Sequence, residues 1–176
     1  MSRLFVAMVP PRAAVAALER DVAAVQSEPW RWVPPERWHV TLEFVGEADA
    51  DEVARRWARR AGDAVPMRLH LAGAGAFPVA RRGRVLWAGL AGDIVAWQHL
   101  ADDDQQPHLT VARSKQPVDM TTTVIALANH EGPSWTATEA VLFDSQPGRA
   151  ADGGPLYTVV ERFPLSRGRR TACRRP

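Results

Sequence analysis

Two stretches of this chain, "WHVTLEFVG" (residues 38–46) and "PHLTVAR" (residues 107–113), carry the same alternation. In each, a histidine and a threonine two residues on share one side, His39 with Thr41 and His108 with Thr110. Bulky aliphatics take the other side, Val40 and Leu42 in the first and Leu109 and Val111 in the second. Alternation with period two is the pattern of a half-buried strand. The chain must therefore build two strands that each give an aliphatic face to a core and hold a His-x-Thr face away from it.

The surroundings of these stretches repeat as well. "RLFVAM", a helix and "HVTLEF" parallel "RVLWAG", a helix and "HLTVAR". Downstream, "PMRLHLAG" begins 27 residues after His39, and "SWTATEAV" begins 26 after His108. The upstream arms differ: Leu4 to His39 is 35 residues and Val85 to His108 is 23. The second half is thus 12 residues shorter, about three helical turns, and its crossover helix is expected to be truncated. Strands are expected at about 3–10, 38–46, 66–75, 84–90, 107–113, 134–144 and 156–163. Helices are expected at about 12–26, 49–62, 93–101 and 118–129, with Pro10-Pro11 opening the first. The layout predicts an α+β fold of two pseudo-symmetric halves with a cleft on the axis between them.

Composition narrows the field. The 176 residues are 46% hydrophobic, enough to fill one core. There is no run of about 18 apolar residues to span a membrane, and "MSRLFVAMVPPR" reads as a first strand rather than a secretory signal. The single cysteine, Cys173, excludes an internal disulfide and a multi-cysteine metal site, and fits a reducing cytoplasm. Five arginines fall in the last ten residues, which hold no acid; without them 17 basic and 20 acidic residues remain. The body at 1–165 is then expected to be one slightly acidic domain. Residues 166–176 form an Arg-rich tail with the composition of a solvated, disordered appendage.

The chemistry follows from the paired motifs. Same-face neighbours on a strand are about 6.6 Å apart at Cα, so a His and a Thr can reach one small ligand together. Imidazole carries protons near neutral pH, and a threonine hydroxyl can donate to an anionic oxygen. Two copies face to face suit in-line displacement at phosphorus, one His taking a proton from water and the other giving one to the leaving oxygen. Without a metal, such a site favours an activated diester, and a strained 2′,3′-cyclic phosphate is the natural candidate.

"RLFVAMVPP", "RWVPPERWHVTLEFVG", "GAFP", "RVLWAGL", "PHLTVAR" and "YTVVERFPL" together resemble the 2H phosphoesterases, in particular the bacterial LigT-like RNA 2′,3′-cyclic phosphodiesterases. The resemblance runs over residues 3–165. It implies two lobes with antiparallel sheets around a central groove, helices outside, and one His-x-Thr strand from each lobe. It implies hydrolysis of 2′,3′-cyclic ends of RNA or nucleotides to 2′-phosphomonoesters by a monomer, with no cofactor and no metal. His39 matches the family's proton donor and His108 its acceptor, while Thr41, Thr110 and Arg113 match its phosphate-contacting residues. Two other activities use the same residues: binding of RNA ends with weakened catalysis, and 2′–5′ ligation, the reverse reaction.

Three positions depart from that pattern. Glu43 has the strand parity of His39 and Thr41, which would turn a carboxylate toward the phosphate. Arg113 has the parity of Leu109 and Val111, which would turn it away unless the strand twists or ends. "HLADDDQQPHLT" places three acids where relatives carry a longer helix, with an expected loss of cover over the second sheet. The remaining histidines, His70, His99 and His130, read as packing or surface residues. "GAGAF" (73–77) precedes no helix and is not a dinucleotide loop. Arg81, Arg82 and Arg84 read as a solvated turn able to steer phosphates, and Trp30, Trp32 and Trp38 as packing residues near the first motif.

Overall fold

The computed structural model describes residues 2–26 and 30–166. In chain order the strands are β1 (Ser2–Met8), β2 (Arg31–Trp32), β3 (Val40–Ala48), β4 (Met67–Phe77), β5 (Gly83–Gly92), β6 (His108–Val118), β7 (Trp135–Ala137), β8 (Glu139–Gln146) and β9 (Leu156–Pro164). The helices are α1 (Arg12–Ala23), α2 (Ala50–Gly62), α3 (Ile94–Leu100) and α4 (Thr121–Leu127). Asp49 caps α2, its side chain accepting from the Glu52 amide at 2.9 Å. The Arg-rich tail beyond residue 166 lies outside the described residues.

All strand pairs are antiparallel, and the order is β7-β4-β5-β6-β3-β1-β8-β9, with β2 added to β6. This order reads the same from either end of the repeat, because β6, β5 and β4 on one side answer to β3, β1 and β8 on the other. Along the sheet, β3 and β6 are neighbours at its centre, joined through the single pair Val40↔Leu109. The two motif strands are therefore the seam of the sheet. Each downstream strand changes sides: β4 follows the first motif but pairs with β5, and β8 follows the second but pairs with β1.

That exchange explains two departures from the expected elements. The strand expected at 134–144 is two strands, since β7 pairs with β4 and β8 with β1, and the chain passes between them at Thr138. The sheet must curl into a half-barrel for one residue to bridge those positions. The shortened second half also keeps its cover. Helix α3 has only seven residues, but α1 crosses over to pack on β4 beside α3 and α4, while α2 packs on β8 and β9. Met67, Leu69, Leu71, Leu86, Trp97, Leu100 and Leu127 are all buried, so the loss of cover expected from the missing turns does not occur. His130 helps to hold α1 there, its Nδ1 2.6 Å from Asp21 of that helix, as a packing residue.

Candidate active site

Each motif strand contains one extra residue immediately after its threonine. On β3, Val6 of β1 stands opposite Glu43 and Ala7 opposite Thr41, so Leu42 is a bulge. On β6, Leu86 stands opposite Ala112 and Trp87 opposite Thr110, so Val111 is a bulge. A bulge re-aims the side chains that follow it. Leu42 with Glu43, and Val111 with Ala112, are consecutive buried residues. Beyond them the parity is reversed, and Phe44 and Arg113 join the His-x-Thr face at equivalent places in the two halves.

This corrects both parity arguments. Arg113 lines the groove without the strand ending there. Glu43 does not face the groove; it is 6% exposed and turned under the sheet toward α2. Its carboxylate accepts from Trp57 Nε1 at 2.5 Å and from Arg56 at 2.6 Å, with Arg60 at 3.9 Å. Arg60 in turn holds Asp102 and the Ala101 carbonyl, both at 2.8 Å, and the Asp102 amide donates to the Leu42 carbonyl at 2.9 Å. The "ADDDQQ" connection is thus fastened to α2 and to the first motif's bulge, and none of its three acids lines the groove.

At the seam, Val40 opposite Leu109 puts His39 across from Thr110 and Thr41 across from His108. The imidazoles stand on one face at diagonal positions, for which Cα separations are about 7–8 Å. Both rings are held alike. His39 Nδ1 lies 2.7 Å from the Arg37 carbonyl, and His108 Nδ1 lies 2.8 Å from the Gln106 carbonyl. A carbonyl only accepts, so Nδ1 carries the proton in each ring and Nε2 is left as the reacting nitrogen. The rings are braced by aromatics: Phe5 (4.8 Å between centroids) and Tyr157 (5.5 Å) on His39, Phe77 (5.0 Å) and Trp87 (6.4 Å) on His108. Trp87 lies over Gly75, where any Cβ would stand 2.2 Å from its ring, so only glycine permits this wall.

Burial sets the charge state. His39 keeps some solvent contact but sits deep among protein atoms, and this pushes its pKa down to about 4. The Arg37 carbonyl opposes that shift, and Arg113 and His108 add to it. His108 is also lowered, mainly by burial and further by Arg113, against the Gln106 carbonyl. Both imidazoles are accordingly neutral in the unliganded protein near neutral pH.

The groove above them has a volume of about 780 Å³ and is lined by His39, Thr41, His108, Thr110 and Arg113 together. All five residues singled out from the sequence are brought to one place. The wall also contains Phe5, Phe44, Phe77, Tyr157 and the arginines Arg3, Arg31 and Arg37, which sequence reading did not select. The one available signal was Tyr157, the only tyrosine in the chain. Trp30, Trp32, Trp38, Arg81, Arg82, Arg84, His70 and His99 are not among the lining residues, and "GAGAF" ends strand β4.

A family model described as LigT-like phosphoesterase matches residues 6–87. An RNA 2′,3′-cyclic phosphodiesterase of Thermus thermophilus is 31% identical over 190 aligned positions, covering 93% of this chain and 90% of that relative. The chain belongs to the LigT-like phosphoesterases. An Aquifex aeolicus protein named RNA 2′,3′-cyclic phosphodiesterase is 29% identical to this phosphoesterase over 154 positions, covering 77% of the chain and 81% of the relative. Among solved structures, one from Thermus thermophilus superposes with a TM-score of 0.72 at 27% identity, covering 95% and 99% of the two chains. Escherichia coli LigT complexed with 3′-AMP superposes on this phosphoesterase with a TM-score of 0.67 at 26% identity, covering 94% and 98%. No helix among the described residues is long and apolar enough to cross a membrane.

Proposed function

We propose that this LigT-like phosphoesterase hydrolyses the 2′,3′-cyclic phosphate at an RNA or nucleotide end to a 2′-phosphomonoester, using two imidazoles as acid and base. The reading is carried by the matched placement of His39 and His108, each anchored through Nδ1 with Nε2 free, across the seam of one groove. Relatives that cover most of the chain are named RNA 2′,3′-cyclic phosphodiesterase, which supports the substrate class. Nε2 of His108 takes a proton from water as its oxygen attacks phosphorus. The bond from phosphorus to O3′ breaks, and His39, which takes up a proton on Nε2 when the anionic substrate binds, delivers that proton to the oxygen. Thr41 and Thr110 donate hydroxyl hydrogen bonds to the non-bridging oxygens, and Arg113 adds a fixed positive charge. Water supplies one proton and the His39 side chain the other, and neither transfer calls on a metal, so a chelator is expected to leave turnover unchanged. A groove complete within one chain suits a monomer, and a lone cysteine suits a cytoplasmic setting.

The pH dependence has a definite sign. The profile of kcat/KM reports the free enzyme, in which both imidazoles are lowered. Its bell is therefore expected to centre on the acid side of 6.5. Bound anionic substrate favours the protonated ring, so the alkaline limb of kcat should lie at higher pH than that of kcat/KM. Arg113 lowers both histidines, so Arg113→Gln should move the kcat/KM bell upward while raising KM about tenfold. Initial rates on a 2′,3′-cyclic nucleotide across pH 4–9 check this, and a bell centred well above 7 in the unaltered protein would contradict it.

A further inference from the structure

Resting on that reading of the groove, we infer that Arg31 and Arg113 form a second phosphate subsite, which takes the internucleotide phosphate next to the cyclic end. Arg31 stands directly opposite Arg113 in the antiparallel β2–β6 pair, and both side chains line the groove. Like charges placed opposite one another on a sheet are destabilising. Among the described residues neither guanidinium has an acidic partner within 4 Å, whereas the groove's Arg37 is paired with Asp152. The sheet therefore carries, at this one end of the groove, two adjacent cations with no acidic partner among the described residues.

Their position fits an oligonucleotide. Because Val111 is a bulge, Arg113 follows Thr110 by about one same-face step, roughly 6.6 Å at Cα. That spacing is of the same order as the separation of successive phosphates along a single strand. With the cyclic phosphate between the histidines, the phosphate on the 5′ side of the terminal nucleoside comes to the arginine pair. Gly154 lets the two side chains from β2 and its following turn lie close to the backbone, since a Cβ there would stand 2.8 Å from the Arg31 guanidinium and 1.8 Å from that of Arg37. Tyr157 shares the space, since Arg113, Arg37 and Arg31 all bear on its phenol. A cyclic mononucleotide with no 5′-phosphate meets Arg113 only through its cyclic phosphate and leaves the Arg31 side of this subsite empty.

The test compares three substrates: a nucleoside 2′,3′-cyclic phosphate, the same compound with a 5′-phosphate, and a dinucleotide with a 2′,3′-cyclic end. Arg31→Gln is expected to raise KM about tenfold for the dinucleotide and to leave the first substrate unchanged, with Arg31→Lys restoring part of the loss. Loss on the dinucleotide but not on the 5′-phosphorylated mononucleotide identifies the bridging diester as the occupant; equal loss on both identifies any second phosphate. Equal loss on all three, or on none, overturns the subsite. Equilibrium binding of a nucleoside 2′-phosphate and of a dinucleotide ending in a 2′-phosphate repeats the comparison without turnover. It decides the subsite even if the protein hydrolyses nothing. For the dinucleotide alone, the slope of log affinity against log salt should become shallower by about 0.7 in Arg31→Gln.

Discussion

His39→Ala and His108→Ala are each expected to lower kcat on a 2′,3′-cyclic nucleotide by about 10²–10⁴, the range for loss of one positioned acid or base. The double variant should be little worse than either single one. One ring takes a proton while the other gives one in the same displacement, and groups that act as a unit are not additive. The roles separate on the leaving group. The 3′-oxygen of ribose departs poorly as an alkoxide and needs the acid, whereas an aryl phosphodiester expels a phenolate that needs little help. His39→Ala should therefore recover much of its relative activity on the aryl substrate, and His108→Ala should not. The opposite pattern would exchange the roles while keeping the pair. Near-normal turnover of the cyclic substrate by either single variant would remove the two-histidine mechanism. Both rings line the groove, so both variants should fold normally, and a thermal melt of each separates loss of chemistry from loss of fold.

What the sequence made legible was whatever repeats at short range. His-x-Thr alternation placed four groove residues correctly because the strand is regular up to each threonine. The spacing of "PMRLHLAG" and "SWTATEAV" located the exchanged strands, β4 and β8, without showing that they change sides. Pairing partners are set by the whole sheet, and no local pattern encodes them. Parity failed one residue past each threonine, for a single reason. A bulge adds a residue without altering composition, so Glu43 and Arg113 each read as lying on the wrong face. The truncated arm was read correctly as a short α3. Its consequence was not, because the compensating cover comes from α1, some 80 residues earlier in the chain. Two arginines of the groove were hidden in "EPWRWVPPERW", where nothing in the string distinguishes Arg31, which faces the groove with no acidic partner among the described residues, from Arg37, which is held by Asp152.

Glu43 provides the sharpest test of the bulge, because the two possible faces predict opposite outcomes. In the observed position its carboxylate is buried beneath β3 and bound by α2. Glu43→Ala removes partners of unequal need. The Arg56 side chain is 44% exposed and can turn to water, and Arg60 retains Asp102. The Trp57 indole has no such recourse: the residue is 0% exposed and its N–H would be left without an acceptor. An unmade hydrogen bond of that kind costs about 1–3 kcal/mol, and the lost packing adds to it. A total near 3 kcal/mol corresponds to a fall in Tm of about 6–12 °C for a chain of this size. Glu43→Gln keeps an acceptor for the indole while losing the charge that faces Arg56, so its fall in Tm should be smaller. At a temperature where both variants are folded, KM for a cyclic nucleotide should be unchanged, since the carboxylate never meets the phosphate. Had the strand kept its alternation, the carboxylate would stand beside Thr41 and repel the substrate. Neutralising it would then lower KM and leave Tm where it was. A thermal melt and a KM measurement on the same preparations decide between the two faces. Because the bulge at Val111 is the counterpart of the one at Leu42, a result against Glu43 would also undo the placement of Arg113 in the groove.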